Sequence, residues 1–451
     1  MMPNKLPGAI YHTSPVRVRL KDETNNKLNV YRQLSEGGRV LAGQLAQNSQ
    51  ATFFQYDADY LAHYHSLSPF KLPFNSDLCQ APEHPHQGLH GVFADSLPDG
   101  WGLLLMNRVF RQHGIHPQQL TAMDRLAYIG ARGMGALTYA PVSEHAEPDQ
   151  NALIDIAVLA ESAIQMFDGQ TEEVLAALAN AGGSGGARPK ALIFMDPQNP
   201  QCVATIPRPG FQPWLIKFTS QNLLLGHEEG RCEAAYLTMA HNAGIQVPDW
   251  QLIEASGSKA WLATRRFDCS PNHHYAGRYH VQSLCGLLDA DFRQPSIDYE
   301  DLIKASQILC QSPAIGKVQF VRAMFNLFAA NQDDHSKNWS FLMADDGQWQ
   351  PAPFYDATFS PNANNEHTTA FVGYGKQPPL RAVQQLANQA NFSSWNEAQE
   401  YITRIVDAIS QWSIIATELG VCQRTRTLIN AQLNAAWQQN KHLIAGYSSR
   451  H

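Results

Sequence analysis

The chain lacks a disulfide framework. Its seven cysteines, at positions 79, 202, 232, 269, 285, 310 and 422, are scattered, odd in number and form no CxxC pair, which excludes a stapled secreted scaffold and fits reduced thiols in the cytosol. It lacks any run approaching the roughly eighteen apolar residues of a membrane span. The opening stretch MMPNKLPGAIYHTS has no apolar segment behind its lysine, so no secretory leader is expected. Positive charge is not in excess: 33 Lys and Arg against 40 Asp and Glu give a formal net charge of -7, so gripping a phosphate backbone is not the expected main task. There is no Cys-His pairing signal and no GK[ST] Walker ending, which sets aside the common thiol-hydrolase and P-loop readings. No repeat appears, and the one low-complexity tract is a glycine cluster. A soluble cytoplasmic protein without a membrane partner is expected.

What is present is a globular balance of 44% hydrophobic and 16% charged residues over 451 positions, too long for one ordinary core. Residues 40–45 and 52–56 read as antiparallel strands, because β-branched and aromatic residues fill short runs between polar turns. The turn Leu97-Pro98-Asp99-Gly100 leads into an apolar helix over 103–110. Leu153, Ile156, Ala160, Ala163 and Phe167 share one helical face, and a second helix is expected over 171–181. After the glycine cluster come strands at 191–195 and 214–218, a helix over 229–243, strands at 250–254 and 260–265, and then mostly helix. Ile402, Ile405 and Ile409 repeat at helical spacing, and 428–437 is rich in helix formers.

The chemistry is concentrated in Asn331-Gln332-Asp333-Asp334-His335-Ser336-Lys337-Asn338, followed at a distance by Tyr355-Asp356. Phosphoryl transfer needs a base for the acceptor hydroxyl and oxygen ligands that hold Mg²⁺ against the phosphates. Asp333 is the candidate base, Asn338 the candidate Mg²⁺ ligand, and Asp356, expected at a strand end, the second one. A DxxxxN spacing alone also describes a polar turn whose side chains bond their own backbone. Two further elements support the chemical reading. The glycine cluster continues into Gly185-Gly186-Ala187-Arg188-Pro189-Lys190; its amides can approach phosphates, with Arg188 or Lys190 adding charge. Lys217 interrupts the apolar strand Trp214-Leu215-Ile216-Lys217-Phe218, and a buried ammonium needs an anion and a carboxylate. Glu233 is the favoured partner and Glu229 the weaker one. Two histidine groups, His84, His86 and His90, and His273, His274 and His280, lack ligand spacing, so a metal site is not expected there.

With these elements in order, the chain resembles the HipA family of bacterial toxin serine/threonine kinases. The resemblance rests on Val30-Tyr31 through Tyr56-Asp57, on FADSLPDGWG from Phe93 to Gly102, and on Tyr128-Ile129-Gly130 through Gly135-Ala136-Leu137. It continues through GGARPK from Gly185 to Lys190, Lys217, Arg266-Phe267-Asp268, DDHSKN from Asp333 to Asn338, and Pro353-Phe354-Tyr355-Asp356.

The resemblance implies an α+β, two-lobed protein-kinase-like fold with an N-terminal α/β subdomain and a mostly helical C-terminal lobe. The expected division is an N-terminal domain over 1–150, a helical linker over 151–181, a nucleotide-binding N-lobe over 182–295 and a helical C-lobe over 296–451. It implies ATP and Mg²⁺ as cofactors and Asp333 as catalytic base, with Asn338 and Asp356 on the metal. Gly185, Gly186, Ala187, Arg188, Lys190 and Lys217 would lie at the phosphates, Arg265 and Phe267 at the hinge, and His335, Lys337 and Tyr355 around the nucleotide. Its implied substrate is a serine or threonine of a host protein, with aminoacyl-tRNA synthetases the attested class, so that growth is inhibited. Its implied partner is a helix-turn-helix antitoxin, through which alone DNA would be met. Many relatives autophosphorylate a serine seven residues before the loop lysine; here that position is Gly183, and Ser184 follows it. Arg265 stands where an acidic residue is common, and Cys269 where arginine is. A small-molecule phosphotransferase and a non-catalytic nucleotide-binding regulator remain alternatives.

Overall fold

Strand Lys27–Gln33 alternates buried and less buried residues along its length, the pattern of a strand with one face on a core. In the computed structural model, which describes residues 26–146, 152–183, 185–255, 259–362 and 364–444, this strand belongs to an antiparallel sheet. The order is Cys79–Gln80, Thr52–Tyr56, Arg39–Gln47, Lys27–Gln33, Leu137–Ala140. Leu28, Val30, Leu45, Phe54, Phe93 and Met123 lie in its core.

A second sheet runs Trp250–Ala255, Lys259–Arg265, Gln212–Lys217, Lys190–Asp196, Asn199–Ala204, Ile154–Asp155. Of the stretch 151–181, expected as a linker, the described residues 152–181 instead belong to this lobe. Ile154–Asp155 pairs with Asn199–Ala204, and Ile156, Leu159, Ala160 and Ala163 of helix Ile156–Phe167 are buried with Ala191, Ile193 and Ile216 of the sheet. The second helix is shorter than expected, Ala176–Asn180. Trp101 and Leu105, from helix Gly100–Gln112 of the N-terminal region, join the same core.

A third sheet, His280–Ser283, Ser340–Met343 and Trp349–Pro351, has its central strand just after the loop 331–338. His280–Ser283 and helix Leu284–Leu288 had been expected in the N-lobe; they pack instead with the C-lobe, where Leu284 and Leu287 share a core with Phe320, Phe325 and Trp339. That core also buries Ile402, Ile405 and Ile409 of helix Trp395–Ser410, and Ile429 and Leu433 of helix Gln423–Asn440. No helix among the described residues is long and apolar enough to cross a membrane.

The N-terminal region is tied to both lobes by close contacts. Asp95 accepts from the Ser283 amide at 2.7 Å and the Ser283 hydroxyl at 2.6 Å. Beside it, helices Gly91–Ala94 and Leu284–Leu288 meet backbone to backbone: a Cβ on Gly286 would lie 2.6 Å from the Gly91 carbonyl oxygen and collide with the Asp95 carboxylate. Arg266 and Asp268 form a buried pair at 2.6 Å, and the same Asp268 oxygen accepts from the Gly135 amide at 2.8 Å.

Candidate nucleotide site

Lys190 opens strand Lys190–Asp196 and Lys217 closes strand Gln212–Lys217, and the two are register partners. Directly opposed residues share a sheet face, so two ammonium groups are buried side by side. Such like charges require anions, and the fold supplies them. Lys217 Nζ donates to Glu233 Oε1 at 2.6 Å and also contacts the Asp356 carboxylate. Burial disfavours its charged form, but Asp356 and Glu233 overcome this and raise its pKa above the usual lysine value. Lys190 Nζ donates to the Gly185 carbonyl at 2.8 Å; it lacks a direct carboxylate contact of this kind, and burial pushes it down to about 8.

Glu229 and Glu233 stand one turn apart on helix Glu229–Asn242, hence on one face. Glu233 takes Lys217, as the sequence suggests. Glu229 instead pairs with Arg188 at 2.9 Å, clamping the glycine loop to the helix. Gly186 has φ of 93°, a left-handed backbone that favours glycine, and a Cβ there would strike Lys190 Nζ.

The loop 331–338 leaves helix Ile315–Ala329 through Ala330, whose φ is 51°. Asp334, not Asp333, is the residue that fixes it. Its buried carboxylate accepts from Tyr299 Oη at 2.5 Å, from the Thr368 amide at 2.8 Å and from the Thr369 amide at 3.1 Å, with His367 Nδ1 at 2.9 Å. Trp339 Nε1 donates to its carbonyl at 3.1 Å. Asp333 is thereby turned outward, its side chain 66% exposed, with His335 Nε2 at 3.8 Å. Ser360 Oγ accepts from the Asp333 amide at 3.2 Å. Asn338 donates its amide to the Asp333 carbonyl at 2.7 Å, leaving its side-chain oxygen as a donor atom.

Asp356 does not sit at a strand end. It lies in the loop after strand Trp349–Pro351, with φ of 53°, and that turn aims its carboxylate at Lys217. Burial raises its pKa, yet Lys217 and Lys190 hold it far below the ordinary carboxylate range, so it is ionised. Tyr355 donates to the Lys337 carbonyl at 2.7 Å and contacts Ser340 Oγ at 2.7 Å; its ring lies 5.5 Å from Phe267. Arg265 turns towards Gln212 and Tyr275, the latter at 2.7 Å.

All the described residues expected in the site line one cleft of about 510 Å³ between the lobes: Asp333, Asn338, Asp356, Gly185, Gly186, Ala187, Arg188, Lys190, Lys217, Arg265, Phe267, His335, Lys337 and Tyr355. That volume lies in the range of small-molecule and cofactor sites. Ser184 lies outside the described residues. Sequence reasoning missed Asp334 and did not give Asp99 or Phe292 a place in the site, though both line the cleft. Asp99 had been quoted within a motif; its contact with Lys337, 2.6 Å away and 238 residues on, has no local signal.

The family model for the HipA-like C-terminal domain matches residues 182–413, more than half of the chain, and that for the HipA N-terminal domain matches 37–140. The chain belongs to the HipA family. Among solved structures, HipA from Shewanella oneidensis MR-1, in a structure described as a toxin-antitoxin system of HipA, HipB and its operator DNA, is similar with a TM-score of 0.68 at 17% identity, covering 93% of this chain and 100% of that one. This shows the HipA fold. The Helicobacter pylori proinflammatory kinase CtkA aligns with a TM-score of 0.34 at 15% identity, over 58% of this chain and 94% of that one. No curated protein matches the chain.

Proposed function

We propose that this HipA-family chain is an ATP- and Mg²⁺-dependent serine/threonine protein kinase of the toxin type. The observation that carries the reading is the meeting, in one cleft, of an outward-facing Asp333 carboxylate with the Lys217–Glu233 pair and with Asn338 and Asp356. The amides of Gly185 to Ala187, with Arg188, Lys190, Lys217 and Lys337, would face the phosphates, and Phe267 and Tyr355 would flank the base. Because Arg265 is engaged elsewhere, hinge contacts would be made by backbone. Asp333 would accept the proton of the acceptor hydroxyl, a role that suits its exposure and a backbone held by Ser360. Asn338 and Asp356 would hold Mg²⁺. One carboxylate and one carboxamide suit an ion that takes its other ligands from the substrate's phosphates and water. Bound there, Mg²⁺ supplies charge neutralisation between phosphate oxygens.

The acceptor is proposed to be a host protein, with an aminoacyl-tRNA synthetase the first to test, and the seven free thiols fit a reducing cytoplasm. By analogy with the Shewanella complex, a small operator-binding antitoxin would restrain the enzyme, and DNA would be met only through it. Incubation with γ-labelled ATP and host lysate tests the reading: label should enter a protein band, whereas label in a low-mass product would make the chain a small-molecule phosphotransferase. Controlled expression should slow host growth, and growth equal to that of the Asp333→Asn strain would remove the toxin role.

A further inference from the structure

The glycine loop is held by a segment far from it in sequence. The Asp99 carboxylate accepts from the Gly186 amide through one oxygen and from Lys337 Nζ, at 2.6 Å, through the other. An amide of a glycine loop and a neighbouring ammonium are what a nucleotide phosphate would engage. A carboxylate from the N-terminal region occupies both.

Asp99 is not the loop's sole support. Trp101 donates its amide to the Gly186 carbonyl at 2.8 Å and its indole N–H to the Lys190 carbonyl at 2.9 Å. Gly100, at φ of 43°, lies so close that a Cβ there would be 2.6 Å from the Gly186 oxygen. Lys337 has a second support, its Nζ sitting 4.4 Å from the centre of the Phe292 ring. Removal of the Asp99 charge would therefore leave loop and lysine in place. Burial acts to raise the Asp99 pKa, but Lys337, the Gly186 amide and Lys190 hold it below the ordinary value, so the group is an anion.

We propose that Asp99 is a displaceable plug: it occupies the phosphate cradle, and the nucleotide must displace it from Gly186 and Lys337. The proposal rests on the kinase reading above and adds to it a competitor built into the chain. It makes the N-terminal region a sensor of phosphate occupancy.

Two experiments on the full chain test it. Titration calorimetry with ATP and Mg²⁺ should show Asp99→Asn binding about tenfold tighter than wild type, since a repelling charge close to the phosphates is gone, while adenosine binds both alike. Equal or weaker ATP binding by the variant overturns the plug, and so does an equal gain for adenosine. If neither protein binds ATP, the kinase reading itself fails and the plug with it. Should Asp99→Asn not fold, hydrogen exchange on the wild type decides. ATP should speed exchange across residues 97–100, Trp101 keeping its bond to Gly186, and adenosine should not; protection of that segment by ATP would show Asp99 to be a fixed brace.

Discussion

Lys190 gives the site a dependence on pH that can be worked through in sign and size. Burial lowers it from 10.5 to about 8; the Asp356 charge opposes this and the neighbouring Lys217 adds to it. A displacement of that size corresponds to ~3 kcal/mol held against the charged form. Phosphates placed against the ammonium would restore the proton, so nucleotide binding above pH 8 should take up one proton. Affinity for ATP should then be level up to about pH 7.5 and fall by about tenfold for each pH unit above 8. The same linkage affects folding. Between about 8 and 10.5 the unfolded chain binds a proton at this lysine that the folded one lacks, so its contribution to stability rises with pH across that window. Lys217, whose pKa is raised, contributes stability that is lost only above its unfolded value. The assay is calorimetric titration with ATP near pH 9 in two buffers of different ionisation enthalpy, which yields the protons taken up. Lys190→Arg, charged at every accessible pH, should flatten the profile. Absence of proton uptake near pH 9, or a Lys190→Arg profile that keeps the wild-type slope, would refute the reasoning.

Other perturbations follow from the same contacts. Asp334→Asn cannot accept from Tyr299 and both threonine amides at once, so it should lower stability by about 3 kcal/mol, read as a drop in denaturant midpoint. Gly286→Ala places a methyl against the Asp95 carboxylate and the Gly91 carbonyl. It should destabilise the protein by about 2 kcal/mol or more and expose residues 91–95 to proteolysis, while a melting point equal to wild type would mean the two helices separate without cost.

Much of the fold could be read from local pattern. Strand Thr52–Tyr56 and helix Glu229–Asn242 appear close to where local pattern put them, the strand because it alternates a buried face with an outer one and the helix because it is apolar enough to be buried on most sides. The Lys217–Glu233 pair was also readable, since a lysine in an apolar strand demands a carboxylate and the following helix offers two at one-turn spacing. The residues 151–181 were misassigned for a physical reason. The strand that fastens them to the sheet is two residues long, too short for any periodicity. Asp334 and Asp356 illustrate the other limit. Nothing in the pair Asp333-Asp334 says which side chain turns inward; that is decided by Tyr299, His367 and the threonine amides, all distant in sequence. The aim of Asp356 depends on one left-handed residue that happens not to be glycine.

The central claim is that Asp333 performs phosphoryl transfer in a cleft that binds nucleotide independently of it. Its direct test is transfer of labelled γ-phosphate to protein by wild type and Asp333→Asn, with ATP affinity measured on both. Matched affinity is expected, with transfer reduced by about 10²-fold or more in the variant. Equal transfer by the two proteins, or a wild type that binds ATP and transfers nothing to protein, would contradict it.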